Sequence, residues 1–338
     1  MLHPRHHGTS PDQGHAPSGA GASRGGIHVD GIVAIHKPAG ITSHDVVMRV
    51  RNITGERSSG HTGTLDPDAT GLLVVCMGAA TRLTRFMEEF PKRYEAEIAF
   101  GLSTMTGDAS GEVVARSEGF SIPLSEAFAA FGKFVGDIQQ VPPMVSAIHH
   151  RGRRLYELAR QGITVERKPR AVVVYSIEPL SVSSWPSHLE HGSRGRIRVE
   201  CSRGTYIRTL CEDICRSLGI AGHMSALVRT ATSGFTLEQA VTLDELERMA
   251  SFGSLAQAIK PSLEGVRHLP ALDLTELEAG WVSHGTAFEC NGGRVRSAAS
   301  AATDIPYIAL VRPDGSLAAI ARVGRGDPGL LIQPKVVL

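Results

Sequence analysis

The stretch Gly60–Phe86, GHTGTLDPDATGLLVVCMGAATRLTRF, decides how the rest of the chain is read. A polar, glycine-punctuated loop carries Asp66 into the run LLVVCM, after which Leu83, Phe86 and Met87 recur at helical spacing. The apolar run predicts a buried strand, and the segment from Ala79 to Glu89 predicts a helix. Pro67 biases Asp66 toward extended backbone, while Gly60, Gly63 and Gly71 permit conformations and close approaches that other residues resist. Asp66 is thus the candidate catalytic residue, a carboxylate held by the stiffness of its own loop. Asp, Pro and Gly are also the commonest turn formers, so an ordinary Asx-type turn remains open on these residues alone.

Working outward, GIVAIHKPAGITSHDVVMRVRNITG from Gly31 predicts a strand, a KPAG turn, and a helix capped by Thr42 or Ser43 with Val46, Val47 and Val50 on one face. Lys37 reads as a solvated turn residue or a phosphate contact. Beyond the central stretch, PKRYEAEIAFG alternates Tyr94, Ala96, Ile98 and Phe100 as a strand does. Residues 103–120 read as a polar connection, and a helix follows Pro123. Residues 171–201 predict a long hairpin with a polar tip.

Between Arg151 and Arg170 seven Lys or Arg stand against two Glu, with His149, His150 and Tyr156 nearby. Such a run is usually a solvated face, but this composition also suits gripping phosphates and stacking on bases. Farther on, SRGTYIRTLCEDICRSLG places Arg203, Tyr206 and Arg208 at the start of an amphipathic helix. LVRTATSGF follows at Leu227–Phe235, and helical segments are expected around Leu243–Ala250 and Leu255–Lys260.

Four of these strings together resemble the TruB family of tRNA pseudouridine synthases: KPAGITS, HTGTLDPDATGLL, RGTYIRTL and LVRTATSGF, the last through Leu227, Arg229, Thr230, Gly234 and Phe235. The resemblance covers roughly residues 31–250. It implies that Asp66 is the nucleophile, that Tyr94 of the KxY signature (Lys92, Arg93, Tyr94) lies against the target base, and that Tyr206 packs beside it. It further implies that Arg208 pairs with Asp66 and that Leu227 walls the pocket. Extruding a base requires something to fill the vacated stack, a role His61 could take; a loop hydrogen-bonder is the alternative for His61. The segment about 142–170, with its QVPPxxSA pattern, resembles the family's RNA-gripping insertion. His36, Val145 and His149 depart from residues usual in the family: an Asp or Asn, a Tyr and a Lys.

The implied substrate is the uridine at position 55 in the T-arm loop of tRNA. The implied reaction breaks N1–C1′, turns the base and joins C5 to C1′, with no redox change and no water consumed, so no cofactor is needed. A carboxylate can serve as nucleophile. The implied fold is α+β, a mixed, mainly antiparallel sheet of pseudouridine synthase type with a small C-terminal PUA-like β-barrel. The expected organisation is a disordered tail at 1–27, a catalytic domain at 28–260 and an RNA-binding module at 261–338.

Composition bounds the alternatives. The 338 residues suffice for one large domain and a small one. No apolar run approaches the ~20 residues of a membrane helix, and the N-terminus has no secretory apolar region, so a cytoplasmic protein is expected. Residues 1–27, rich in Gly, Ser, Pro and His, cannot repay the entropy of ordering. Five cysteines without a CxxC pair argue against a disulfide framework or structural zinc. His61, Asp66 and Asp68 match no standard metal-ligand spacing. A monomer is expected, with no metal. The rival from another class is a non-catalytic RNA-binding protein or tRNA folding chaperone, which the basic segment would fit equally well.

Overall fold

The computed structural model describes Met1 and residues 29–146, 148–150, 152–159, 161–296, 306–326 and 329–338. The expected tail at 1–27 lies outside the described residues beyond Met1, as do Arg151, Arg160 and the side chains of His149, His150, Arg154 and Tyr156.

The chain is organised on a ten-stranded sheet. β1 (Gly31–Lys37) pairs antiparallel with β3 (Thr70–Met77), and the short β2 (Ser59–His61) pairs with β3 as well. β4 (Lys92–Phe100), β5 (Gly136–Gln140), β6 (Arg170–Pro179), β7 (Arg194–Cys201) and β8 (Gly222–Thr232) extend it. With β9 (Phe235–Thr236) flanking β8 and β10 (Ile259–Lys260) on β1, the order is β10-β1-β3-β8-β4-β7-β6-β5. Every pairing is antiparallel except β3 with β8, where Thr70 faces Val228 and Gly71 faces Arg229.

Helix α1 (Ser43–Thr54) starts at Thr42 through a reciprocal capping box with Asp45 and stops at Gly55, which is left-handed at φ 75°. Its Val46, Val47 and Val50 pack with Val33, Ile35, Leu73 and Val75 on one face of β1 and β3. The other face carries Ile32, Ala34, Leu72 and Val74 against Leu83, Phe86 and Met87. Burial on both faces is why LLVVCM is continuously apolar instead of alternating. β4 and β7 bury Tyr94, Ala96, Ile98, Phe100, Ile197 and Val199 against α2 (Leu124–Gly132) and α3 (Ile207–Ser217). All five cysteines are buried and free.

Three elements differ from expectation. The helix expected at 79–89 is a 3-10 turn, Gly78–Leu83, running into a single α-turn, Thr84–Met87. Within the polar connection at 103–120 lies a short hairpin, Leu102–Thr104 with Val113–Arg116. After α4 (Leu243–Ser251), residues 255–260 form a 3-10 turn and then β10, because the open edge of β1 offers unpaired backbone groups that Ile259 and Lys260 satisfy.

The C-terminal strands are β11 (Ala271–Asp273), β12 (Phe288–Cys290), β13 (Val295–Arg296), β14 (Tyr307–Val311), β15 (Leu317–Gly326) and β16 (Gly329–Val337). They form a six-stranded half-barrel in the order β12-β16-β15-β14-β11-β13, with α5 (Glu276–Ser283) against it. This unit does not hang on a tether. Ala309, Leu317 and Ile320 join the core formed by Ile32, Leu72 and Val74, and Tyr307 meets Phe86 edge-on with ring centroids 5.2 Å apart.

Candidate active site

The loop 62–69 is pinned by three buried side chains from distant segments. Ser43, the first residue of α1, accepts the Leu65 N–H at 2.8 Å and donates to the Leu65 carbonyl at 3.0 Å. Lys37 donates through Nζ to the carbonyls of Pro38, Pro67 and Ala69, each at 2.8 Å. Arg229 donates to the carbonyls of Leu72 at 2.8 Å, Gly63 at 2.9 Å and Thr64 at 3.4 Å. The two readings of Lys37 as a solvated turn residue or a phosphate contact are both corrected: its side chain is buried, with its ammonium satisfied by loop carbonyls. Burial brings its pKa down to about 8. A carbonyl-rich loop folded away from water needs donors from elsewhere in the chain, and these supply them.

Held in this way, Asp66 faces Arg208 on the first turn of α3. Arg208 Nε lies 3.1 Å from Asp66 Oδ2, and Nη2 lies 3.5 Å from Oδ1. The same guanidinium reaches Asp108 Oδ2 at 3.3 Å, the Thr106 carbonyl at 2.9 Å and the Val145 carbonyl at 2.8 Å. Asp108 is itself oriented by Thr106 and Ser110, whose hydroxyls donate to it at 2.7 and 2.6 Å. Arg208 is 5 % exposed whereas Asp66 remains 40 % exposed, so the arginine is structural in burial while the carboxylate is open to a reactant. Burial raises the Asp66 pKa; Arg208 opposes the rise and Asp108 adds to it.

Asp66 opens onto a cavity of about 540 Å³ that Tyr94, Tyr206, Leu227, Lys92 and Arg229 also line. Tyr94 comes from the start of β4, directly opposite Arg229 in the sheet, and burial raises its pKa. Tyr206 is the N-cap residue of α3. Its backbone is gripped twice by the buried Gln140, which accepts the Tyr206 N–H at 2.9 Å and donates to the Tyr206 carbonyl at 3.1 Å. Arg170 and Arg203 add positive charge at the cavity wall.

Five of the six residues singled out in the sequence therefore meet at one cavity: Asp66, Tyr94, Tyr206, Arg208 and Leu227. His61 does not line it, although its neighbour Thr62 does. The His61 Nδ1 accepts the Gly63 N–H at 3.3 Å, and burial, then Arg229, lowers its pKa. Asp108, Gln140 and the loop-pinning role of Arg229 were not singled out. Asp108 sits in a stretch whose Gly, Ser and Thr content marks only a connection. The departure at Val145 leaves its contact with Arg208 intact, because the backbone carbonyl makes it. Among the described residues no group of three or more His, Cys, Asp or Glu is placed to hold a metal ion, and no helix is long and apolar enough to cross a membrane.

The fold is shared with a chain of a crystallised Cbf5–Nop10–Gar1 complex, at a TM-score of 0.70 and 26% identity over 92% of this chain and 86% of that one. Residues 51–207 match the N-terminal domain of TruB family pseudouridylate synthase, and residues 208–266 match the tRNA pseudouridylate synthase B C-terminal domain. Fold and site together define an isomerase of the pseudouridylate synthase class. The chain belongs to the TruB family. Its curated relatives include tRNA pseudouridine synthase B of Pelotomaculum thermopropionicum, 42% identical over 300 residues that span 88% of this chain and 92% of that one. The protein of the same name from Bacillus velezensis is 38% identical over 312 residues, 92% of this chain and 98% of that one.

Proposed function

We propose that this chain converts uridine at position 55 in the T-arm loop of tRNA to pseudouridine, with Asp66 as nucleophile and no cofactor. The observation that carries the reading is the Asp66–Arg208 pair, 3.1 Å apart, at a cavity that two tyrosines and Leu227 also line. The tRNA is suggested by the names of the relatives, and the position by the resemblance of the sequence motifs.

Uridine is turned out of its stack and held by Tyr94 and Tyr206, with Leu227 closing the pocket. The Asp66 carboxylate, kept oriented by Arg208, initiates cleavage of N1–C1′. The freed uracil rotates, C5 bonds to C1′, and the proton lost from C5 is balanced by one gained at N1, so substrate and product are isomers. His61 fills the space that the base has left.

Residues 28–260 form the catalytic domain of this reading. The basic segment about 142–170 grips RNA phosphates, residues 261–338 add an RNA-binding surface, and the chain acts as a monomer. The test is tritium release from an unmodified tRNA transcript carrying 5-³H-uridine, with the natural protein and Asp66→Asn compared in the absence of added cofactor. Release by the natural protein alone, mapped to the T-arm uridine, is expected. Binding without release by either protein would instead favour an RNA chaperone.

A further inference from the structure

Gln140 is the last residue of β5, where it faces Arg170 across the strand pair, so these two residues are the feet of the basic segment between them. It is 1 % exposed, and both ends of its amide are spent on one residue, Tyr206, as a donor to the carbonyl and as an acceptor from the N–H. A second contact runs in parallel. Arg208 donates to the Val145 carbonyl at 2.8 Å, which ties α3 to the chain five residues beyond Gln140. A third closes the base of the segment, where Arg167 donates to the Pro142 carbonyl at 3.0 Å.

We infer that Gln140 is a positioning residue for catalysis: it locks the first turn of α3, and so the placement of Tyr206 and Arg208, to the foot of the segment 142–170. The inference rests on the reading of Asp66 and Arg208 given above. The backbone N–H of an N-cap residue and its carbonyl lie at the point where a helix meets a loop, and a side chain that fixes both fixes the direction in which the helix begins. Arg208 follows Tyr206 by two residues, and the carbonyl of Tyr206 also accepts the Leu210 N–H at 3.0 Å. Releasing the amide therefore lets the first turn rotate or fray, which moves the guanidinium relative to Asp66. A displacement of about 1 Å at a catalytic group can lower a rate about a hundredfold.

Two near-isosteric variants separate this role from packing. Gln140→Glu keeps the acceptor for the Tyr206 N–H but has no donor for its carbonyl, and Gln140→Met has neither. Single-turnover tritium release with saturating enzyme, with folding verified by circular dichroism, reads the rate; filter binding of the unmodified transcript reads its affinity. The expected result is graded, with the rate constant down about tenfold in Gln140→Glu and about a hundredfold in Gln140→Met, and the transcript Kd within about twofold of that of the natural protein. Rate constants within twofold of natural in both variants would overturn the inference. So would a loss of rate matched by an equal loss of affinity or by loss of fold. No release from the natural protein would strike the proposed function itself, a different outcome.

Discussion

Gly71 and Arg229 stand opposite each other in the parallel pairing of β3 with β8, and a Cβ at Gly71 would lie 2.4 Å from the Arg229 carbonyl oxygen. At φ +102° the glycine also occupies backbone space that L side chains rarely enter. The close approach brings Arg229 across the strand end, from which its guanidinium reaches the carbonyls of Gly63, Thr64 and Leu72. Gly71→Ala is expected to lower stability by about 3 kcal/mol and to reduce tritium release. Urea unfolding checks it; a loss below about 0.5 kcal/mol would mean that the two strands separate without penalty.

Lys37→Met would take the Nζ donor from the carbonyls of Pro38, Pro67 and Ala69, of which Pro67 keeps the Gly40 N–H at 3.0 Å, while keeping the length of the side chain. The expected loss is about 2–4 kcal/mol of stability, with the rate of isomerisation falling more than tRNA affinity, since the loop carries Asp66 and not the phosphate-facing surface. Measuring the urea midpoint and the transcript Kd on the same preparation decides it. A variant that binds RNA poorly yet turns over bound RNA normally would restore the phosphate-contact reading of Lys37.

Arg208→Lys keeps the charge and removes the fork. One ammonium cannot span Asp66, Asp108 and the carbonyls of Thr106 and Val145, which the guanidinium reaches together. The single-turnover rate constant is expected to fall about a hundredfold or more with transcript affinity nearly unchanged. Removing the charge altogether, as in Arg208→Met, takes the shared cation from Asp66 and Asp108 and should cost about 1.5–3 kcal/mol of stability in addition, less than for a fully buried pair because Asp66 is partly exposed. Equal activity of Arg208→Lys and the natural protein would show that the pair needs only a positive charge.

Burial raises the pKa of Asp66 above its ordinary value of 3.8, and the direction has two consequences. Between the unfolded and folded values, the folded chain keeps a proton that the unfolded chain has released. Stability from this group thus falls as pH rises through that window and stays lower above it. Asp66→Asn should therefore unfold at the same or higher urea concentration than the natural protein at pH 7, with the difference closing below pH 3.8, while tritium release disappears. If the ionised carboxylate is the reactive form, as proposed, activity should decline on acidification at a pH above 3.8. An Asn variant clearly less stable at pH 7 would reverse the sign and mean that the attraction of Arg208 outweighs the cost of burying the carboxylate.

Much of the site is legible in the sequence because its chemistry is carried by residue identity in short strings. Asp66 before Pro67, Tyr94 at the head of an alternating strand, and Tyr206 with Arg208 in RGTYIRTL all stand out, and the fold brings them to one cavity. The capping box of Thr42 and Asp45 is equally local. The helix expected at 255–260 fails for the opposite reason: only the open edge of β1, set by topology, turns Ile259 and Lys260 into a strand.

The sequence by itself determined the family motifs, the buried strand after Asp66 and the amphipathic start of α3, since each depends on neighbours within a few positions; the resemblance of those motifs is what makes Asp66 the candidate nucleophile. Tertiary structure alone decided what holds the Asp66 loop in place. Ser43 meets the Leu65 backbone across 22 residues, Lys37 meets Ala69 across 32, and Arg229 meets Gly63 across 166. Asp108 and Gln140 likewise reach Arg208 and Tyr206 from about a hundred and 66 residues away. A donor's side chain carries no periodicity that identifies its acceptor. Which carbonyl it reaches is fixed by strand order and register, and those are set when the whole sheet closes on its core.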